Sequence, residues 1–564
     1  MRCPGWSLVN PLRPLMPAET KTIGWPWVGI GTVLLLAVLA CATAGRTVPI
    51  IPDEIGYLAI AKYLATGNAL NLAWVTNYSF GHALFLVPGY WLSTDVATVY
   101  QVGVLASCAA TAFVPLVLLG IAGQINLPRS PFVVACSFLV AIFPAYMYQN
   151  SVVWAETTFR LTFLIVVLLF LQAWFGRRPL GWPLFGASVL VLFAIHPRAL
   201  GVIPVALVAM LAARIMNRAT WLQLAVSVAV MAVLWVGIKE ANDHFQMAIW
   251  GQEFSDSGKI QNFLQVFLTT PGFKQAIASA LGQLWSLVAS SAGFFGIGLL
   301  AAWQMFRSNQ TSRPMLLFTG AAMLAVGAAS VMQMMQPDRI DHVIYGRYAD
   351  GVSTIIVWLG LIWLGRSKAP MAAVAIVVGL LLATALPVLK VYVAAPLSPV
   401  VTPNISGLLW MDVAGAPMVS ASLLTIMVMG SLLAVAVSST ATVATSRPWA
   451  ALAGVALVAL VMSAASLWSD WRGHAGRAGY VEATRAVYAK AGGAVVYWDQ
   501  SVGPNGNATI DQFAAMSGAM PNANIAAADI PVGTAAVVSD AFQKQGYAIL
   551  GDLPDETKLV VRQQ

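Results

Sequence analysis

Charge is what this sequence has least of. Of its 564 residues only 9% are Asp, Glu, Lys or Arg, 59% are hydrophobic, and the mean hydropathy is +0.77. One core cannot hide that much apolar surface, which excludes an ordinary soluble protein and leaves lipid as the solvent. Cysteine is scarce as well. Cys3, Cys41, Cys108 and Cys136 show no CxxC spacing, so neither a disulfide framework nor a zinc site follows from them. The net charge of +8 is not gathered into a basic stripe interleaved with aromatics, which argues against a nucleic-acid partner. There is no P-loop, no GxGxxG opening a helix, no HExxH and no GxSxG elbow. Nucleotide chemistry and zinc or serine hydrolysis therefore lack their usual cradles.

What the chain has instead is a series of apolar runs long enough to cross about 30 Å of hydrocarbon. They predict about thirteen spans, near 24–44, 96–121, 130–148, 158–176, 180–196, 200–213, 219–238, 278–304, 314–334, 351–365, 369–389, 416–438 and 449–468. The segment 78–93, "YSFGHALFLVPGYWLS", is shorter, carries Pro-Gly, and reads as re-entrant or interfacial. With the N-terminus inside, the inner connections hold Arg129, Arg177, Arg178, Arg214, Arg218, Arg307, Arg313, Arg366, Lys368 and Arg447, and no Asp or Glu. Every acid except Glu19 then faces outward, as the positive-inside rule expects. The composition turns polar after the last run. "YVEATRAVYAKAG" has a helical period, and "GAVVYWDQ", "AAVVSDA" and "TKLVVRQQ" read as strands. The expected organisation is a mostly α polytopic bundle over 1–468, with outer loops 45–95, 239–277, 335–350 and 390–415. A small extracytoplasmic α/β domain follows over 469–564.

This sidedness brings the scattered polar groups to one face. In "IIPDEIGYLAIAKYLATG", Pro52 fits a helix start and Asp53 a helix cap, with Glu54, Tyr57 and Lys62 following. The plain alternative is that Asp53 only caps a surface helix. In "YQNSVVWAETTFRL", Glu156 stands at the outer start of a span with Arg160 one turn on. An i,i+4 ion pair is the plain reading there, and a second carboxylate facing a shared cavity is the functional one. "AIHPRALG" sets His196 and Arg198 at an outer helix end, where the guanidinium either snorkels or offers its planar fork to a phosphate. "QPDRIDHVIYGRYADG" gathers Asp338, Arg339, Asp341, His342, Tyr345, Arg347, Tyr348 and Asp350 in one loop, which reads as a solvated linker or as a binding edge.

Taken in order, "PDEIGYLAIAKYLATGNA", "FGHALFLVPGYWL" with His82, Glu156, "HPRALG" and "YGRYADG" resemble the C-type (GT-C) membrane glycosyltransferases. That group includes protein O-mannosyltransferases, the lipid A aminoarabinose transferase and actinobacterial arabinofuranosyltransferases. The resemblance covers 24–468 in order and sidedness. It implies a polyprenyl-phosphate sugar as donor, a hydroxyl of an envelope glycan, lipid or protein as acceptor, and membrane lipids around both. Asp53 would be the general base, and Glu54 and Glu156 would orient acceptor or sugar. Arg198 and Arg347 would neutralise the leaving phosphate, with Arg339 or Lys62 as helpers. Tyr57, His82, His196, His342, Tyr345 and Tyr348 would complete the substrate site. No cofactor is certain, a divalent cation being the one candidate. Asp53 and Glu54 are adjacent rather than spaced as in a DxD pair, which leans against a metal. The implied place is a bacterial plasma membrane. A transporter or flippase of lipid-linked precursors is the other class that many spans allow, but it is expected to carry repeat symmetry, and the sequence shows no repeat.

Overall fold

The computed structural model describes residues 22–69, 78–176, 178–251, 261, 265–334, 337–365, 370–395, 397–398, 402–412, 421–443, 447–492, 496–499, 502, 522–525, 531–540, 542–543, 546–553 and 557–563. Glu19, Arg177, Arg366 and Lys368, the stretches 70–77, 252–260 and 413–415 of the expected outer loops, and 416–420 of the expected span 416–438, lie outside them.

The apolar runs form α1 (Trp25–Ala42), α2 (Pro52–Thr66), α3 (Val87–Leu92), α4 (Val96–Gln124), α5 (Pro131–Ala141), α6 (Pro144–Met147), α7 (Glu156–Gly176), α8 (Gly181–Ile195), α9 (Val202–Ile215) and α10 (Trp221–Trp250). They continue as α11 (Thr270–Ser290), α12 (Phe294–Ser308), α13 (Arg313–Gln333), α14 (Ile340–Val343), α15 (Arg347–Leu364), α16 (Pro370–Tyr392), α17 (Leu423–Val443) and α18 (Pro448–Ala489). Short polar residues start several of them. Asp95 accepts the Thr98 N–H, Ser130 the Val133 N–H, and Thr220 and Gln223 close a capping box. Among the described residues, 10 helices are long and apolar enough to cross a membrane, or up to 12 when two bent pairs each count as one span. This is a multi-pass membrane protein.

The structure breaks two expected spans. The run 130–148 becomes α5 and the short helical stretch begun by α6, bent by 53°, and the run 278–304 becomes α11 and α12, bent by 96°. Ala292 at φ 50° and Gly293 at φ 87° turn the chain, and the intervening carbonyls fold back as a tight turn closed by Gly293 N–H on Val288 O. The 3-10 turn Pro197–Gly201 that joins α8 to α9 carries His196 and Arg198 inward. At the centre of the bundle, every residue of α15 is buried. It lies tightly on α12, since a Cβ on Gly298 would strike the Ile356 carbonyl and one on Gly360 the Phe294 carbonyl.

α18 runs 42 residues without interruption past position 468. It leads to a mixed sheet of β1 (Val496–Asp499), β2 (Asn522–Ile525), β3 (Ala535–Ser539), β4 (Tyr547–Asp552) and β5 (Thr557–Arg562) in the order β2-β1-β3-β5-β4. β1 pairs parallel with β2 and β3, while β5 pairs antiparallel with β3 and β4. Alternating apolar residues of β3 and β5 face α18 or cover the sheet's second side.

Candidate active site

The site begins at the first turn of α2. Ile51 is the N-cap, Pro52 pre-sets the first helical φ, and Gly67 ends the helix at φ 72°. The cap differs from the expectation. Glu54, not Asp53, closes this helix start. Glu54 Oε1 accepts the Ile50 and Ile51 N–H groups at 2.9 and 3.0 Å. Its Oε2 accepts the Tyr100 hydroxyl and the Val153 N–H, both at 2.7 Å. All of this carboxylate is engaged, and burial raises its pKa against those bonds. It faces the protein frame and pins the 150s segment to α2.

Asp53 is thereby left for another partner. Arg347, the first residue of α15, donates from Nη1 to Asp53 Oδ2 at 2.7 Å and from Nε to Glu156 Oε1 at 2.7 Å. The same Glu156 oxygen accepts from Arg198 Nη1 at 3.1 Å. Of the two readings of Glu156, the i,i+4 pair with Arg160 does not form. Arg160 points into the bundle, donates to the Thr111 hydroxyl and lies over the Tyr146 ring. Glu156 instead reaches across to residues 42 and 191 positions away. The Asp53 side chain is 23% exposed and the Glu156 side chain 2%, so Asp53 is the acid that solvent reaches.

The two guanidinium groups are held flat by aromatic rings. Arg347 lies 3.9 Å over Trp154, and Arg198 lies 3.9 Å from the Phe159 ring centre and 4.9 Å from that of Tyr348. Tyr57 stacks on Tyr78 at 4.5 Å and meets His82 edge-on at 4.8 Å. His196 stands 5.2 Å from Tyr348, and Tyr345 packs against Tyr348 at 4.9 Å. Asp53, Tyr57, His82, Glu156, His196, Arg198, Tyr345, Arg347 and Tyr348 therefore come together, from segments spread over nearly 300 positions.

Three candidates stand further out. Arg339 makes a two-pronged pair with Asp341 at 3.0 and 2.9 Å. That acid accepts from Asn404, whose amide oxygen accepts from Arg347 Nη1 at 3.3 Å. His342 pairs with Asp338 at 2.8 Å, and burial followed by the Arg339 charge lowers its pKa. Lys62 sits nine residues beyond Asp53, about 13 Å along α2 at 1.5 Å per residue, and is half-buried. Arg339 thus reaches Arg347 through Asp341 and Asn404, and the His342 ring stands at the edge of the cluster, 6.5 Å from that of Tyr345.

Trp154 and Asn404 belong to the site although no sequence signal singled them out. Trp154 reads as one more apolar residue two places before Glu156, and Asn404 as a polar residue in an outer loop. A buried ion pair contributes little net stability after desolvation. A cluster of them beside an exposed acid suits chemistry better than scaffolding. The donor set does not fit a divalent cation. The Arg347 guanidinium bridges Asp53 and Glu156, and no group of three or more His, Cys, Asp or Glu among the described residues could hold a metal ion.

Compared with solved structures, the chain matches the crystal structure of ArnT from Cupriavidus metallidurans bound to undecaprenyl phosphate. The match covers 95% of this chain and 98% of that one, with a TM-score of 0.53 at 14% identity. The fold is the GT-C fold. The apo structure of the same ArnT matches equally, over 95% and 97% of the two chains, with a TM-score of 0.53 at 14% identity. The arabinosyltransferase EmbB from Mycobacterium smegmatis matches over 82% of this chain and 42% of its own, with a TM-score of 0.43 at 12% identity. No family model and no curated protein matches the sequence. The GT-C fold accounts for the bundle and the small C-terminal sheet together.

Proposed function

We propose that this protein is a membrane glycosyltransferase that moves a sugar from a polyprenyl-phosphate donor to an acceptor hydroxyl. One observation carries the reading. The solvent-reached carboxylate of Asp53 is held by a guanidinium, Arg347, that also grips the buried Glu156 beside a second guanidinium, Arg198. The GT-C fold, whose ArnT example was crystallised with undecaprenyl phosphate, supports the donor class.

The chemistry follows from charge. Two carboxylates and two guanidinium groups cancel, so an arriving phosphate competes with Asp53 for Arg347. Capture of the phosphate frees Asp53 to act. Asp53 takes the proton of the acceptor hydroxyl, whose oxygen forms a bond to the anomeric carbon. The bond from that carbon to the phosphate oxygen breaks, and its electron pair leaves on the polyprenyl phosphate. One displacement inverts the anomeric configuration. A positioned base contributes roughly 10²–10⁴ in rate, and fixed cations stabilise the charge that develops on the leaving group. Glu54 acts through position by holding the α2 start and the Val153 backbone beside Trp154 and Glu156.

In this reading residues 1–468 form the membrane transferase, and 469–564 form an extracytoplasmic domain. The chain sits in a bacterial plasma membrane with its N-terminus inside, and the outer face holds the site. The acceptor is an envelope glycan, lipid or protein, and arabinofuranose and mannose lead among sugars by the resemblance of the sequence motifs. The test is purified protein in lipid nanodiscs, given polyprenyl-phosphate sugars and an envelope extract, with mass spectrometry of the products. A new glycosidic bond is expected, together with loss of turnover in Asp53→Asn while undecaprenyl phosphate still binds. Substrate crossing a liposome membrane with no bond formed would indicate a transporter instead.

A further inference from the structure

Beside the ion pairs lies a set of polar atoms that those pairs do not use. Tyr57 Oη, His82 Nε2, His196 Nε2, Glu156 Oε2, and Nε and Nη2 of Arg198 are all shielded and have no protein partner among the described residues. Leaving one such group unsatisfied costs on the order of 1–3 kcal/mol, and native interiors contain few. These are neighbours. The Tyr57 ring meets His82 at 4.8 Å, and Tyr78 bridges from Tyr57 at 4.5 Å to His196 at 6.4 Å. Gly81 is why the two histidine segments can meet. Its N–H donates to Ala194 O at 2.8 Å, and a Cβ at this position would run into the Ala194 backbone.

The bonds on the far side of each imidazole fix its tautomer. His196 Nδ1 accepts the Arg198 N–H at 3.2 Å, so in the neutral ring the proton sits on Nε2. The Thr158 hydroxyl donates to Ala155 O at 2.9 Å, so it accepts from His82 Nδ1 at 2.9 Å. That leaves His82 Nε2 as a bare acceptor. Burial keeps both rings neutral, lowering His82 to about 4 and, with the Arg198 charge, His196 well below the usual range. Two histidines thus offer opposite polarity within one cluster. A hydroxyl, both donor and acceptor, suits such a pair. A phosphate oxygen only accepts and meets the lone pair of His82, while an ammonium only donates and meets the N–H of His196. The adjoining carboxylates and guanidinium groups cancel formally, so nothing there selects a charged ligand.

We infer that His82 Nε2, His196 Nε2 and Tyr57 Oη, with the unused edges of Glu156 and Arg198, form the subsite that reads the hydroxyls of an uncharged sugar ring. The inference rests on the glycosyltransferase reading. It makes the neighbouring phosphate contact the business of Arg347. Because the atoms are shielded, occupation requires a side chain to move, and the partly exposed Tyr78 ring over Tyr57 is the member placed to do so.

The test is binding to the full chain in nanodiscs, followed by Trp fluorescence. The probes are undecaprenyl phosphate, undecaprenyl-phosphomannose and the matching amino-sugar lipid. The variants are His82→Asn and His196→Asn, whose amides keep the structural bond at Nδ1 and lose the facing atom, and His82→Gln and His196→Gln, which keep a polar atom near Nε2. The mannosyl lipid is expected to bind wild type at least tenfold more tightly than the bare lipid phosphate or the amino-sugar lipid. Each Asn change should remove about three- to tenfold of that advantage, the worth of one hydrogen bond, and leave the bare lipid unchanged. The Gln changes should restore part of it. Equal losses for sugar-bearing and bare lipids would give the histidines a merely structural role and overturn the inference. Equal binding of all three lipids to wild type would overturn it too, with the lipid-phosphate reading intact. Failure of the bare lipid to bind at all would strike that reading itself.

Discussion

Asp53 and Glu54 are neighbours in the chain but serve two different polar centres. Successive helical residues diverge by about 100°, so the first acid faces the Arg347–Glu156–Arg198 network and the second faces Tyr100 and Val153. Behind Tyr100 lies a buried set. The Tyr100 ring stands 5.8 Å from His474, and Asp470 holds Arg46 at 3.1 Å. Arg46 also donates to the carbonyl groups of Ala42, Ala44 and Leu467. In that centre the charges join helix to helix, α1 to α18. Among the described residues both centres leave polar atoms without a hydrogen-bond partner, Asp470 Oδ1 and the His474 ring nitrogens in one, Tyr57 Oη, His82 Nε2 and His196 Nε2 in the other. What separates a charge that carries structure from one proposed to carry chemistry is access: the Asp53 side chain is 23% exposed, that of Asp470 fully buried.

The contrast can be broken most sharply at Asp53. Asp53→Asn is expected to cut turnover by roughly 10²–10⁴ with an unchanged melting midpoint, read by product mass spectrometry and thermal unfolding in detergent. An equal fall in stability would place Asp53 with the scaffold. Asp470→Ala should do the reverse. Removing one partner of a buried pair costs about 3–5 kcal/mol, so the midpoint should drop sharply, and molecules that remain folded should retain turnover.

Acid probes the same divide at His82. Its folded pKa of about 4 lies below the ordinary 6.5. The unfolded chain therefore binds the proton more readily, and stability is full above pH 6.5 and lost as pH falls toward 4. The loss is about 3 kcal/mol at 1.36 kcal/mol per unit. Comparing wild type with His82→Asn across that window isolates it, and parallel curves would mean that the ring titrates normally. Glu54→Gln is expected to cost about 1–3 kcal/mol in stability, because a charge-accepting set loses its match, with a smaller effect on turnover than at Asp53. Gly81→Ala is of the same size: overpacking against the Ala194 backbone should cost about 1–3 kcal/mol and weaken sugar-lipid binding more than bare-lipid binding.

The sequence carried the membrane bundle because lipid demands long apolar runs. The strands at "AAVVSDA" and "TKLVVRQQ" were legible for the same reason, local pattern matching local structure. The break at Ala292 and Gly293 was not, since both residues are ordinary inside an apolar run and the turn is set by packing. The α2 cap was misjudged because Asp53 and Glu54 are both acids in a first turn, and only the positions of Tyr100 and Val153 decide which one folds back. Glu156 has a cation one turn away in sequence but binds two that arrive from elsewhere. Periodicity reports a helix's own neighbours; it says nothing about which distant guanidinium the fold delivers. Asn404 and Trp154 stayed hidden for that reason.

The unbroken 42-residue α18 spans about 63 Å at 1.5 Å per residue, roughly twice the thickness of the hydrocarbon layer. It works as an axle between the bilayer and the terminal sheet, anchored near its middle by Asp470. Adding one residue to the exposed stretch beyond that anchor would swing the sheet by about 100° around the axle. Adding seven would bring it nearly back into phase, about 10 Å farther along the helix. Orientation of the sheet and its distance along α18 can thus be varied separately.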